Sequence, residues 1–236
     1  SCDSEVVLSP GRADAITIVG GRAEGPRTKD RGMEAMCEAK LPPRESCRRY
    51  AYRLAGGGKN VLVSRFTAPP VPGELGPGGL KVALIGDTRT GHKAHGKLAD
   101  LAADFKPHLL LHAGDLVDHF DRIAEWRLLF RIEGKTVSST PFAVAPGNHE
   151  VLPEGEPSPF GAFLMNRYFR TPWGGGTGHH TFDFGPVHVI VLDTYFGEQL
   201  DNGGMDWLKE HLGSLPADRV KLVLLHEPPI TFGKYK

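Results

Sequence analysis

No stretch of this chain is apolar for long enough to cross a bilayer. Its longest strand-like runs, such as VHVIVL at 187–192, fall well short of the roughly 20 residues a membrane helix needs. An excess of either charge is also missing: Lys and Arg number 28 and Asp and Glu 28. That balance excludes a nucleic-acid binder working through bulk positive charge, so no nucleic-acid scaffold role is expected and partners must be read from local sites. Cysteine is scarce, at three residues. Cys37 and Cys47 lie close enough in sequence to close a small loop, which leaves Cys2 over.

What is present is an ordinary share of apolar residues, 40% of a 236-residue chain. That is enough for one large domain, or for a small domain joined to a medium one. The opening Ser1-Cys2-Asp3, without Met, suggests a removed leader or a trimmed chain. Cys2 resembles the acylated cysteine of an exported bacterial lipoprotein, which would attach the chain to a membrane and place it outside the cytoplasm. A trimmed chain with three free thiols is the alternative.

Over 1–67 the strand-like pieces AITIV (15–19), RYAYRLA (49–55) and NVLVSRF (60–66) alternate with Gly- and Pro-rich connections and show no helical period, which predicts a small all-β domain. AGGGKN at 55–60 lacks the spacing of a phosphate loop and reads as a turn. TAPPVPGELGPGG, 67–79, has the composition of a semi-rigid linker, assigned to 68–79. From 80 to 236 strands and helices alternate. Strands are predicted at 81–86, 108–114, 142–145, 186–193 and 220–225, with a hairpin over 179–193. Helices are predicted through Leu98, Leu101, Ala102 and Phe105, through Ile123, Trp126 and Phe130, and over 163–168 and 205–212. That pattern predicts an α/β layered domain with some antiparallel pairing.

Each strand is followed at once by a residue of one chemical kind: Asp87, Asp115, Asn148-His149 and His226. In open α/β sheets the carboxyl ends of the strands form a common crevice, where groups distant in sequence converge. Two carboxylates, an amide and an imidazole suit Zn, Mn, Fe or Co, and a cation relieves the repulsion between the carboxylates. Gly86, Gly114 and Gly147 precede three of the four and fit tight turns.

The order GD (86–87), GDLVD (114–118), GNHE (147–150) and LLHEPP (224–229) resembles the calcineurin-like metallophosphoesterases. YAYRL…VSRFTAPP, 50–70, resembles the end of the fibronectin-III-like domain of purple-acid-phosphatase-like members, and HHTFDFGPVHVIVLDT, 179–194, a strand pair of the catalytic core. The resemblance implies an α/β/β/α sandwich and a centre of two divalent or trivalent ions, Fe, Zn or Mn. Asp87 would bind one ion, Asp115 would bridge, and Asn148 and His226 would bind the other. His149 would stand near the leaving group of a phosphate-ester substrate. Monoester hydrolysis is the first expectation. A noncatalytic surface lipoprotein and a nucleotide or cyclic-nucleotide diesterase are the alternatives.

The resemblance breaks in three places. Arg89 stands where many members have a ligand His, and is expected to grip substrate. Asp118 stands where purple enzymes have a Tyr, and is read as a structural carboxylate capping the helix near Asp121. The family's Gly-His-x-His motif does not follow His226, which implies a missing C-terminal segment, a second chain that completes the site, or lost activity. His92 or His95 could replace the missing imidazole. His112 and His188 are read as core, and one of His179 and His180 as approaching the site. Trp173 and the three glycines after it are read as a loop, either on the rim of the substrate cleft or as a plain connection.

Overall fold

A computed structural model describes residues 4–8, 16–19, 21–23, 36–38, 45–56, 59–71, 78–151, 158–169, 178–195, 203–228 and 230 of the chain. Strands β1 (Ser4–Leu8), β2 (Ile16–Val19), β3 (Gly21–Ala23), β4 (Met36–Glu38), β5 (Arg49–Gly56) and β6 (Lys59–Thr67) come first. They form an antiparallel sheet in the order β2-β1-β5-β6 and a separate β3-β4 pair. Cys2, the side chain of Cys37, the middle of the expected linker (72–77) and the Trp173 loop lie outside the described residues. Tyr50 stacks on Phe66, centroids 5.7 Å apart, and the Tyr52 hydroxyl donates to the Ser138 carbonyl at 2.5 Å. This sheet therefore rests on the layered domain that follows.

That domain contains β7 (Val82–Ile85), α1 (His92–Phe105), β8 (Leu109–His112), α2 (Ile123–Val137), β9 (Phe142–Val144), α3 (Asn148–Val151), α4 (Pro159–Tyr168), β10 (His180–Phe184), β11 (Val187–Val191), α5 (Met205–Ser214) and β12 (Val220–Leu224). β7, β8 and β9 are parallel neighbours in that order. β10 and β11 form the expected antiparallel hairpin, and β12 joins β11 in parallel. β8 is buried along its whole length, as a strand covered on both faces must be.

Alternation along these strands divides the core. Leu109, Leu111, Ala143 and Ala145 pack with Phe182, Phe184, Val187, Val189, Val191 and Leu224 between the two sheets. Val144 joins Trp126, Leu129, Leu164, Met165 and Phe169 under the helices. Each fully buried aliphatic or aromatic side chain contributes about 1.5–3 kcal/mol, so these layers fix how the strand ends sit against one another. Ser158 caps α4 by accepting from the Gly161 N–H at 3.3 Å, with Pro159 in the first turn.

Helix α1 forms where its period predicts, but it turns a different face inward. His95, Ala99 and Ala102 are buried, while Leu98, Leu101 and Phe105 are exposed. The small residues let α2 approach closely, and the Thr136 hydroxyl donates to the Ala99 carbonyl at 3.3 Å. No helix among the described residues is long and apolar enough to cross a membrane.

Candidate metal centre

Three parallel strands deliver their loops to one edge, where backbone hydrogen bonds join them. The Asp87 N–H donates to the Gly114 carbonyl at 3.0 Å, and the Arg89 N–H to the Asp115 carbonyl at 2.9 Å. Asp87 and Asp115 both hold left-handed backbone, with φ of 54° and 57°. Such a conformation costs a non-glycine residue about 1 kcal/mol, and it is retained at both positions expected to bind a cation. Gly147 is packed so tightly that a Cβ would lie 2.3 Å from the Asp115 nitrogen, and at Gly114, with φ of 82°, it would lie 2.7 Å from the Gly147 nitrogen.

Glu150 holds this junction together. Its Oε2 accepts the N–H groups of Asp115 and Gly147, both at 2.9 Å, and its Oε1 those of Leu116 at 2.8 Å and Val117 at 3.1 Å. Complete burial pushes its carboxyl up to about 7, and the nearby Asp115 charge adds to the rise. The N–H groups oppose both by favouring the anion.

At the surface of the junction, one ligand atom each from Asp87, Asp115 and His226 lie within 4.8 Å of one another. Asn148 is beside them. His226 must carry its proton on Nδ1, because Nδ1 lies 2.7 Å from the Ala113 carbonyl, which can only accept. In the neutral ring the Nε2 lone pair then faces Asn148 Oδ1 at 3.2 Å and Asp115 Oδ1 at 3.5 Å. In that tautomer the three atoms can share a cation, and Asp115 Oδ1 also accepts the His149 N–H at 3.2 Å. The donor set of carboxylate oxygens, an amide oxygen and one imidazole fits a divalent ion of the Zn or Mn kind. The carbonyl on Nδ1 supplies the outer-shell anchor usual for a ligand His.

His149 is the second residue of the short α3 beside this cluster. Its backbone N–H donates to Asp115 Oδ1 at 3.2 Å, and its ring Nδ1–H to the Asp118 carbonyl at 2.8 Å. Asp118 does not cap the next helix: Arg122 occupies the cap of α2 without a side-chain bond, and Glu125 accepts the Asp118 and His119 N–H groups at 2.8 and 2.7 Å. The Asp118 side chain instead faces Arg89 and His149. Arg89 was expected to point towards substrate. Its guanidinium is turned onto carboxylates, with Nη1 donating to Asp115 Oδ2.

The other candidate histidines are accounted for elsewhere. His95 is buried against Glu133, Nε2 to Oε1 2.7 Å, and His92 sits exposed at the start of α1, so neither joins the cluster. His112 is core, hydrogen-bonded to Thr88 at 2.9 Å, and its pKa is lowered to about 3 by burial first and then by the His95 and His226 charges. His179 stacks on Trp207 and His180 Nδ1–H donates to the Gly178 carbonyl at 3.0 Å. His188 is core and satisfied by Asp183 and His211. One buried carboxylate carried no sequence signal as a structural group: Asp193 accepts the Gly178 and Tyr195 N–H groups, at 2.7 and 2.8 Å, and so ties the end of β11 to the start of β10.

A family profile described as calcineurin-like phosphoesterase matches residues 80–236. The chain belongs to that family. Among solved structures, this phosphoesterase is similar to purple acid phosphatase PPD1 from yellow lupin (Lupinus luteus) seeds. The TM-score is 0.72 at 17% identity, covering 91% of this chain and 44% of that one. It is also similar to PhoD, at TM-score 0.57 and 15% identity over 89% of this chain and 53% of that one. The chain thus spans about half the length of either structure. At these identities the likeness concerns the fold. No curated protein sequence matches the chain. The strand ends that carry Asp87, Asp115 and Asn148 all lie inside the phosphoesterase match, as does His226.

Proposed function

We propose that this phosphoesterase hydrolyses phosphate monoesters with the help of a cation held by Asp87, Asp115, Asn148 and His226. The observation that carries the reading is the apposition of the His226 Nε2 lone pair with two oxygen acceptors at 3.2 and 3.5 Å. A divalent ion held by these residues would supply a water of lowered pKa and withdraw charge from a phosphoryl oxygen. The rest is the work of side chains. Asp115, almost wholly buried, gives a carboxylate whose position is set by the loop it belongs to. The carbonyl on Nδ1 holds the His226 ring in one orientation. His149 is anchored through Nδ1–H, so that in the doubly protonated ring Nε2–H would be the atom that passes a proton to the departing alkoxide oxygen, leaving the neutral Nδ1–H ring behind. Glu150 keeps the loops after β8 and β9 in register from behind.

One observation favours a noncatalytic binding scaffold instead: the ion pair between Arg89 and Asp115. Diester or nucleotide hydrolysis shares the same centre. A fibronectin-III-like domain over 1–67 belongs to the same proposal and is supported by the resemblance of 50–70 to the end of that domain. The full-length protein, loaded with Mn²⁺ or Zn²⁺, should release p-nitrophenol from p-nitrophenyl phosphate faster than from the bis ester. Asp115→Asn should lower kcat/KM on the order of 10³-fold, about 4 kcal/mol of transition-state stabilisation. No turnover of either ester by metal-loaded protein would support the scaffold.

A further inference from the structure

The two oxygens of Asp115 face different partners. Oδ1 accepts the His149 N–H at 3.2 Å and lies 3.5 Å from His226 Nε2, on the side where the other ligand atoms gather. Oδ2 is held by Arg89 Nη1. The same Nη1 is 3.6 Å from Asp87 Oδ1, and Arg89 Nε is 3.5 Å from Asp118 Oδ1. One guanidinium therefore stands among three carboxylates, at the place a second cation shared through Asp115 would need. Its backbone is fixed as well, because the Arg89 N–H donates to the Asp115 carbonyl at 2.9 Å.

We infer that Arg89 takes the place of a second cation, so that the centre binds one metal ion per chain, between Asp115 Oδ1 and His226, and not the pair that the resemblance implies. This rests on the reading of the site as a metal centre. Two features make the exclusion firm. The guanidinium brings a fixed positive charge to this place. Its Nη1 also donates to Asp115 Oδ2, the oxygen that a bridging carboxylate would direct at a second ion. Asp87 remains available to the one ion, since its side chain is mostly exposed and Nη1 reaches it only at 3.6 Å.

Purified full-length protein is stripped with chelator, reloaded with Mn²⁺, desalted and assayed for metal by elemental analysis, with electron paramagnetic resonance on the same samples. The wild type should hold one Mn²⁺ per chain with the signal of an isolated ion. Arg89→His, which removes the fixed charge and offers an imidazole, should hold two, with a spin-coupled signal. Arg89→Lys keeps the charge and should stay at one. Two ions in the wild type would overturn the inference and leave the phosphoesterase reading standing. One ion in both the wild type and Arg89→His would overturn Arg89 as the excluding group. No bound Mn²⁺ in the wild type would overturn the inference together with the metal-centre reading beneath it.

Discussion

His226 and His188 each donate from Nδ1 to an oxygen, yet their other nitrogens meet opposite surroundings. His188 Nδ1–H reaches Asp183 Oδ1 at 2.6 Å, and its Nε2 meets His211 Nε2 at 2.8 Å, where one ring supplies the proton and the other the lone pair. Asp183 is balanced in turn by Arg219 Nη2 at 2.8 Å, and Trp207 stacks on His211. That group is complete. His226 Nε2 faces only acceptors, Asn148 Oδ1 and Asp115 Oδ1. Both regions join imidazole to carboxylate, and residue types alone do not separate them. What separates them is what stands opposite Nε2: a second imidazole at His188, and two oxygens that could share a cation at His226.

The sharpest way to break the comparison is to remove each histidine in turn. His226→Ala should abolish measurable metal binding and reduce phosphatase kcat/KM on the order of 10³-fold, about 4 kcal/mol. His188→Gln should leave metal content and kcat/KM unchanged. Gly147→Ala probes the junction instead of a ligand. A methyl group 2.4 Å from Asp115 Oδ1 forces the loops apart, so a loss of about 3 kcal/mol in denaturant unfolding is expected, together with weaker metal binding.

A third test uses pH. The pKa of His112 is lowered to about 3 from an ordinary 6.5, so below 6.5 the unfolded chain takes up a proton that the folded chain refuses. Stability should therefore fall as pH drops from about 6.5 towards 3, with His112 contributing a slope of up to about 1.4 kcal/mol per pH unit. His112→Gln should flatten the unfolding free energy across that window, and an unchanged slope would count against a neutral buried ring. The smallest effect expected is the stability change in His188→Gln, about 1 kcal/mol for the lost hydrogen bonds of a group that is structural.

Much of this was legible in the chain. Apolar runs ending in Gly-Asp, Gly-Asp and Gly-Asn placed three donors at the ends of parallel strands, and VKLVLLH placed a fourth at the end of β12. Strand patterning is clearest in β8 and β11, which are buried along their whole length. Side-chain direction was less legible. The period of α1 was read correctly, but its larger residues face outward because α2 closes on Ala99 and Ala102. The placement of Arg89 and Asp118 depends on the left-handed turns at Asp87 and Asp115, which no periodicity encodes. The GNHE stretch shows a carboxylate at position 150 but not that it accepts four loop N–H groups.

The most direct measurement is anomalous diffraction from crystals of the full-length protein soaked in Zn²⁺ or Mn²⁺. A peak about 2.0–2.2 Å from His226 Nε2 and from Asp115 Oδ1 is the predicted result. A peak at the His188–His211 pair with none at His226, or an Asn148 amide turned to donate its N–H to His226 Nε2 in metal-soaked crystals, would contradict it.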